Sequence, residues 1–194
     1  MMIKRRAVWL PVLAGLTGLT GASLPLTAAE ASLPALLKTG ACVVLLRHAQ
    51  TDAGIGDPPG FQLGQCSTQR NLSPAGRAQA RRIGQWFQTR ALAPRTVQSS
   101  PWCRCRDTAD LAWGRHTALS ELGSTFDNRA DDRAQTTAQT AALSGLLTAI
   151  PAGQFDVWVT HQVNITALTG QFPAMGEAFV VGASGQLLAR TLFD

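Results

Sequence analysis

Two apolar runs of strand length each end in a histidine. Cys42-Val43-Val44-Leu45-Leu46 leads into Arg47-His48, and Asp156-Val157-Trp158-Val159-Thr160 leads into His161. Buried strands of an open α/β sheet deliver side chains to their carboxyl edge, where such sheets hold ligands. If the two strands run parallel, both imidazoles emerge at one edge. Arg47 accompanies the first. Arg104 lies in the first turn of a helix expected to open at Ser99-Ser100-Pro101 and to continue to about Trp113. The free N–H groups and dipole of a helix start favour an anion. Two arginines, a helix N-terminus and two imidazoles together make a cradle for a dianion, because the guanidinium fork matches phosphate oxygens. A neutral imidazole can attack phosphorus and carry the phosphoryl group. Histidine titrates near neutrality, so little tuning is needed to keep it unprotonated. His116, between Arg115 and Thr117, has no such setting and reads as a surface residue.

The elements that must position these groups follow from pattern. Residues 32–40 read as a short connection and 41–46 as the first strand. The Gly-, Pro- and Gln-rich stretch from Asp52 to Gln69, with Asp57-Pro58-Pro59-Gly60 as a turn cluster, is a long loop. Loops this long in a compact domain usually carry function. It follows the Arg-His pair directly and is expected to select the group attached to the anion. Ser73-Pro74 is a helix start: Ser is a good N-cap and Pro suits the first position. Ala80, Ile83, Gly84 and Phe87 give that helix a buried face, while Arg77, Arg81 and Arg82 read as its solvated side. Thr96–Ser99 is a short strand, Ala118–Leu122 a short edge strand, and 134–150 a helix stopped by Pro151 and Gly153. A helix follows at about Asn164–Thr169. Phe179–Val181 and Gln186–Thr191 form a terminal hairpin around Ala183-Ser184-Gly185. The alternation predicts a single α/β domain: a three-layer sandwich with a mostly parallel sheet, antiparallel edge strands and helices on both faces.

The 194 residues suit one such domain, and 45% hydrophobic against 15% charged residues allow a real core. The first 29 residues read as a cleavable export signal, leaving residues 30–194 as the domain. Lys4, Arg5 and Arg6 form a positive start, Ala7–Leu26 is apolar and uncharged, and Thr27-Ala28-Ala29 offers small residues for cleavage. Pro11 and Pro25 weaken this run as a permanent membrane span, so no stable insertion is expected after cleavage. Removing it takes away three cations and no anions, and the formal charge of +5 becomes +2. A nucleic-acid partner thereby loses its main support. A periplasmic location would expose the four cysteines to oxidation. Cys42 sits in an apolar strand as a buried thiol. The loop Cys66 is expected to pair with Cys103, with Cys105 as the other candidate. Four cysteines allow three pairings, and Cys103-Arg104-Cys105 lacks zinc-ligand spacing.

Taken jointly, four segments resemble the histidine phosphatase superfamily, the phosphoglycerate-mutase-like proteins. Leu46-Arg47-His48-Ala49 is similar to its Arg-His-Gly signature. Arg70-Asn71-Leu72-Ser73-Pro74-Ala75-Gly76 with Gln79-Ala80 is similar to the segment opening its first helix. Ser99-Ser100-Pro101-Trp102-Cys103-Arg104 resembles its Ser-Ser-Pro-x-x-Arg motif, and Val159-Thr160-His161 its Val-Ser-His. The order is the family's, over about residues 42–192. The resemblance implies a phosphatase in which His48 becomes a phosphohistidine. It implies that Arg47, Arg104 and His161 hold the phosphoryl group, with Thr51 as a further substrate-binding residue, and that no metal or cofactor takes part. Glu121 falls where many members carry the proton donor, with Asp127 as the fallback.

Ala49 replaces the signature Gly, as in small phosphohistidine-phosphatase-like members, and Gln162 stands where many members have Gly. The residues with which mutases hold a phosphoglycerate are absent, and there is no room for the large insertion of the phytase and acid-phosphatase branch. With the export signal, the chain resembles most the small periplasmic members, including the type that removes phosphate from lipopolysaccharide core heptose. A small phosphorylated substrate or phosphosugar is therefore expected. The alternatives are a phosphate-binding pseudo-enzyme or a protein phosphohistidine phosphatase.

Overall fold

The computed structural model describes residues 32–126 and 132–193. The expected export signal and Asp127 lie outside them. Among the described residues, six strands form one sheet in the order β3-β2-β4-β1-β5-β6. These are β1 (Cys42–Arg47), β2 (Val97–Ser99), β3 (Thr117–Ala118), β4 (Phe155–Thr160), β5 (Glu177–Gly182) and β6 (Leu187–Leu192). The first four run parallel to one another. β5 pairs antiparallel with β1, and β6 antiparallel with β5. This is the expected α/β architecture.

The side-chain alternation of β1 shows how the layers are built. Cys42, Val44 and Leu46 join one apolar cluster with Ile83 and Phe87 of α2 (Pro74–Thr89) and Cys105 and Ala109 of α3 (Cys103–Trp113). Val43 and Leu45 join a second with Leu143 and Leu147 of α4 (Asp132–Leu147) and Ile165 of α5 (Gln162–Thr169). A strand covered on both faces must be apolar at every position, which is why β1 reads as an unbroken run. Ser73 caps α2 by accepting from the Gly76 N–H at 3.0 Å, and Pro74 takes the first turn, as the sequence predicts. No helix among the described residues is long and apolar enough to cross a membrane.

Two expectations are corrected. Residues 33–39 are not a plain connection but a short helix, α1, which buries Leu37 completely in the first cluster. Pro34 in its first turn and Gly40 as its cap fit that role. The expected edge strand Ala118–Leu122 shrinks to Thr117–Ala118. After Leu119 N bonds the Ser99 carbonyl, Ser120–Leu122 coil into a 3₁₀ turn that buries Leu122.

Helices α2 and α3 pack closely, and Gly84 makes the approach possible: a Cβ there would overlap the Ala112 carbonyl oxygen. Gly145 on α4 faces open space. Gly84→Ala should destabilise the fold by about 1–3 kcal/mol. Gly145→Ala should stabilise it by about 0.5–1 kcal/mol through helix propensity. Chemical denaturation of both variants checks the pair; equal effects would contradict this packing.

Candidate active site

The site begins with strand register. β1 and β4 pair with Arg47 opposite Thr160, and the His48 N–H continues the ladder to the Thr160 carbonyl at 3.0 Å. The residues that follow, His48 and His161, therefore leave the sheet side by side, with ring centroids 5.6 Å apart in an edge-on arrangement. On the other flank of β4, Ser99 lies opposite Val159, and Ser100 N bonds the Val159 carbonyl. Ser100 Oγ then reaches His161 Nε2 at 2.8 Å. Three residues further on α3 begins, and its first turn carries Arg104.

These side chains line a cavity of about 290 Å³. Arg47, His48, Arg104 and His161 all line it. Gly54, Ile55 and Gly56 of the long loop also line it. Phe126, Gln162, Val163 and Met175 contribute elsewhere. His48, Arg104 and His161 are each no more than 3% exposed. Arg47 Nη1 donates to the Pro173 carbonyl at 2.9 Å. Arg104 Nη2 stands 3.5 Å from His161 Nδ1.

Hydrogen bonding fixes the state of both imidazoles. His48 Nδ1 lies 2.9 Å from the Ala49 carbonyl oxygen. A carbonyl only accepts, so Nδ1 carries the proton and Nε2 holds the lone pair. A guanidinium only donates. His161 Nδ1 therefore accepts from Arg104, and its Nε2–H donates to Ser100 Oγ. Burial, then the Arg104 charge, pushes His48 from 6.5 down to about 3, with smaller contributions from Arg47 and Arg70 and an opposing one from the Ala49 carbonyl. Burial, then Arg104 and His48, holds His161 well below its ordinary value. Both rings are neutral at physiological pH. Arg47 is also lowered, by burial and then by Arg70 and Arg104, but a guanidinium stays cationic at neutral pH. The cavity thus combines an uncharged nitrogen nucleophile with several positive charges.

The structure brings together Arg47, His48, Arg104 and His161. It does not bring in Thr51 or Glu121. The Thr51 hydroxyl points toward Met175 Sδ at 3.7 Å, its backbone bridges to Leu72, and the residue lines a different depression beside Gln79. Glu121 lies on the 3₁₀ turn, where its carboxylate accepts from Ser120 Oγ at 2.9 Å beside Gln135 and Gln139 of α4. Because the edge strand ends two residues before this turn, Glu121 is directed to the α4 surface, away from the cavity. Among the described residues no carboxylate lines the cavity, and no group of three or more His, Cys, Asp or Glu side chains could hold a metal ion. Sequence reasoning gave no role to two residues at this end of the sheet. Arg70 lines the cavity and donates to the Gly54 carbonyl at 2.6 Å. Asp57 lies behind it, paired to Arg104. In the sequence Arg70 opens the segment that leads into α2, and nothing there marks it for the cavity. Cys66 and Cys103 are disulfide-bonded, while Cys42 and Cys105 are buried free thiols.

Two measurements follow from this arrangement. A histidine neutral when folded but protonated when unfolded makes the unfolded state bind more protons. Stability should therefore fall as pH drops from about 6.5 toward about 3. Urea midpoints between pH 7.5 and 5 should fall for the native chain and fall less steeply for His48→Gln; parallel slopes would contradict the assignment. Glu121→Gln should keep turnover within about twofold of the native chain, as surface changes remote from the chemistry do; a large loss of kcat would return Glu121 to the site.

The histidine phosphatase superfamily (branch 1) family model matches residues 43–124, a segment that holds Arg47, His48 and Arg104; the fold adds His161. No curated protein matches the sequence. Solved structures share the fold at low identity. SixA from Agrobacterium tumefaciens is 20% identical, with a TM-score of 0.53 over 77% of this chain and 97% of its own. TTHB049 from Thermus thermophilus is 22% identical, with a TM-score of 0.54 over 78% and 99%. The protein histidine phosphatase SixA complexed with tungstate is 16% identical, with a TM-score of 0.53 over 78% and 96%. By the matched segment the chain is similar to the histidine phosphatase superfamily (branch 1), and the solved structures share its fold.

Proposed function

We propose that this chain is a metal-independent phosphomonoesterase that works through a phosphohistidine on His48. The observation that carries the reading is the buried, neutral His48 ring. Its Nδ1 proton is held by the Ala49 carbonyl, which leaves Nε2 as the nucleophile among arginines. In the first step a Nε2–P bond forms as the bond from phosphorus to the leaving oxygen breaks, and that oxygen takes up a proton from solvent. Arg47 and Arg104 bind the other phosphoryl oxygens and stabilise the charge that spreads over them. His161, neutral and fixed by Ser100, adds a polar contact without a competing positive charge. In the second step water attacks phosphorus and releases a proton to solvent, the Nε2–P bond breaks with its electron pair returning to Nε2, and inorganic phosphate leaves.

The substrate proposed is a small phosphorylated compound outside the cytoplasm, a phosphosugar of the lipopolysaccharide core among the candidates. Export is supported by the Lys4–Arg6 and Ala7–Leu26 pattern and is compatible with the Cys66–Cys103 disulfide. A second reading, a protein phosphohistidine phosphatase, is favoured by the SixA structures that share the fold. A panel of phosphosugars, lipopolysaccharide fragments and phosphohistidine peptides, ranked by kcat/KM, separates the two.

The chemistry is tested on p-nitrophenyl phosphate in the presence of a chelator. Turnover should persist there. His48→Ala should keep its fold and lose at least ~10³-fold in kcat. A phosphorus-labelled substrate should leave an acid-labile label on the native chain. Full activity of His48→Ala would overturn the mechanism. Tight phosphate binding with neither label nor turnover would make the chain a binding module instead.

A further inference from the structure

The loop after β1 sends one carboxylate behind the arginines of the cavity. The Asp57 side chain is fully buried. Oδ1 and Oδ2 accept from Arg104 Nη1 at 2.7 and 3.0 Å. Oδ2 also accepts from the Trp102 indole N–H at 3.0 Å, and Oδ1 from the Arg70 backbone N–H at 2.9 Å. All these donors belong to segments that build the cavity: Trp102 stacks edge-on against His161, and Arg70 and Arg104 line the cavity directly.

The distribution of donors on Arg104 is uneven. Asp57 takes only Nη1. Nη2 stands beside His161, and the buried Nε has no protein partner among the described residues. A purely structural ion pair on a buried arginine would engage its donors as fully as possible, since an unpaired buried N–H is costly. Here Nη1 is fixed by Asp57, with the Arg70 carbonyl at 3.5 Å, Nη2 gives one N–H to His161, and its second N–H and the Nε–H remain for a ligand. Gly54, Ile55 and Gly56, just before Asp57, line the cavity wall. The same carboxylate therefore ties the loop segment that lines the cavity to Arg104. The anchoring is repeated nearby: Gln69 Oε1 accepts from the Cys103 N–H at 2.9 Å, and Cys66 is disulfide-bonded to Cys103.

We propose that Asp57 is a positioning residue for phosphoryl transfer: it acts through Arg104, holding the guanidinium by Nη1 so that Nη2 and Nε serve the phosphoryl oxygens. This rests on the phosphatase reading above. Its negative charge opposes simple anion binding, so its contribution is to geometry, which counts most where the phosphoryl group is in-line between nucleophile and leaving group.

The test uses the full chain and two probes, vanadate as a mimic of the in-line state and inorganic phosphate as product. Asp57→Asn should lower kcat and vanadate affinity together by about 10–100-fold, the usual effect of losing an outer-shell partner. Phosphate affinity should stay within about threefold of native or tighten, because a negative charge is removed. Asp57→Glu should restore part of the loss. Unchanged or raised kcat in a folded Asp57→Asn, or equal losses of vanadate and phosphate binding, would overturn the proposal. If Asp57→Asn does not fold, Arg104→Ala is compared with the Arg104→Ala, Asp57→Asn double variant. Equal kcat and vanadate affinity in the two support action through Arg104; a further loss of about tenfold in the double variant overturns it. Vanadate binding needs no turnover. A native chain that binds vanadate in this Asp57-dependent way but hydrolyses nothing would defeat the phosphatase reading and leave the positioning role standing. A native chain that binds no vanadate overturns both.

Discussion

Everything at the carboxyl edge of this sheet depends on one register. Parallel pairing sets Arg47 opposite Thr160, and the next residue on each strand is a histidine. A slip of one residue would turn every β1 side chain to the other face and separate the rings. Both apolar clusters resist that slip, because Val44 and Leu46 serve one face and Val43 and Leu45 the other. The hydrophobic core therefore acts as the ruler that spaces His48 from His161, and α2, α3, α4 and α5 contribute by covering the two faces.

Burial then changes the chemistry of what the register delivers. Two exposed imidazoles would titrate near neutrality. Packed beside Arg104, with Arg47 and Arg70 close by, both stay uncharged, and desolvation contributes more than any single neighbouring charge. A neutral ring in a positive cavity can accept a phosphoryl group without first losing a proton. The same positive surroundings then offset the charge that arrives with the substrate.

The residues legible in the sequence share a property: each sits at a fixed offset from the end of a strand or the start of a helix. His48, Arg104 and His161 could be placed for that reason, as could Ser73 as a cap. Glu121 failed because its placement assumed a strand long enough to aim it at the cavity, and β3 stops after two residues. Thr51 failed because nearness in sequence to His48 does not survive the turn that directs its hydroxyl to Met175. The helix at 33–39 was hidden because only Leu37 in it is buried. Asp57 was unreadable for a deeper reason. Its partner Arg104 lies 47 residues away, and no periodicity or turn rule links an aspartate in a Pro- and Gly-rich loop to an arginine on a distant helix.

The cysteines show how packing selects a covalent bond. Burial pushes the Cys42 thiol up to about 11 and the Cys105 thiol up to about 12. Thiolates, not thiols, exchange with disulfides, so once β1 and α3 have docked these two sulfurs are chemically silent. Of the three ways to join four cysteines in pairs, the folded chain leaves open only the route that joins Cys66 to Cys103. The packed core thus keeps Cys42 and Cys105 as thiols, and the covalent tie falls to the two sulfurs at the loop and the start of α3.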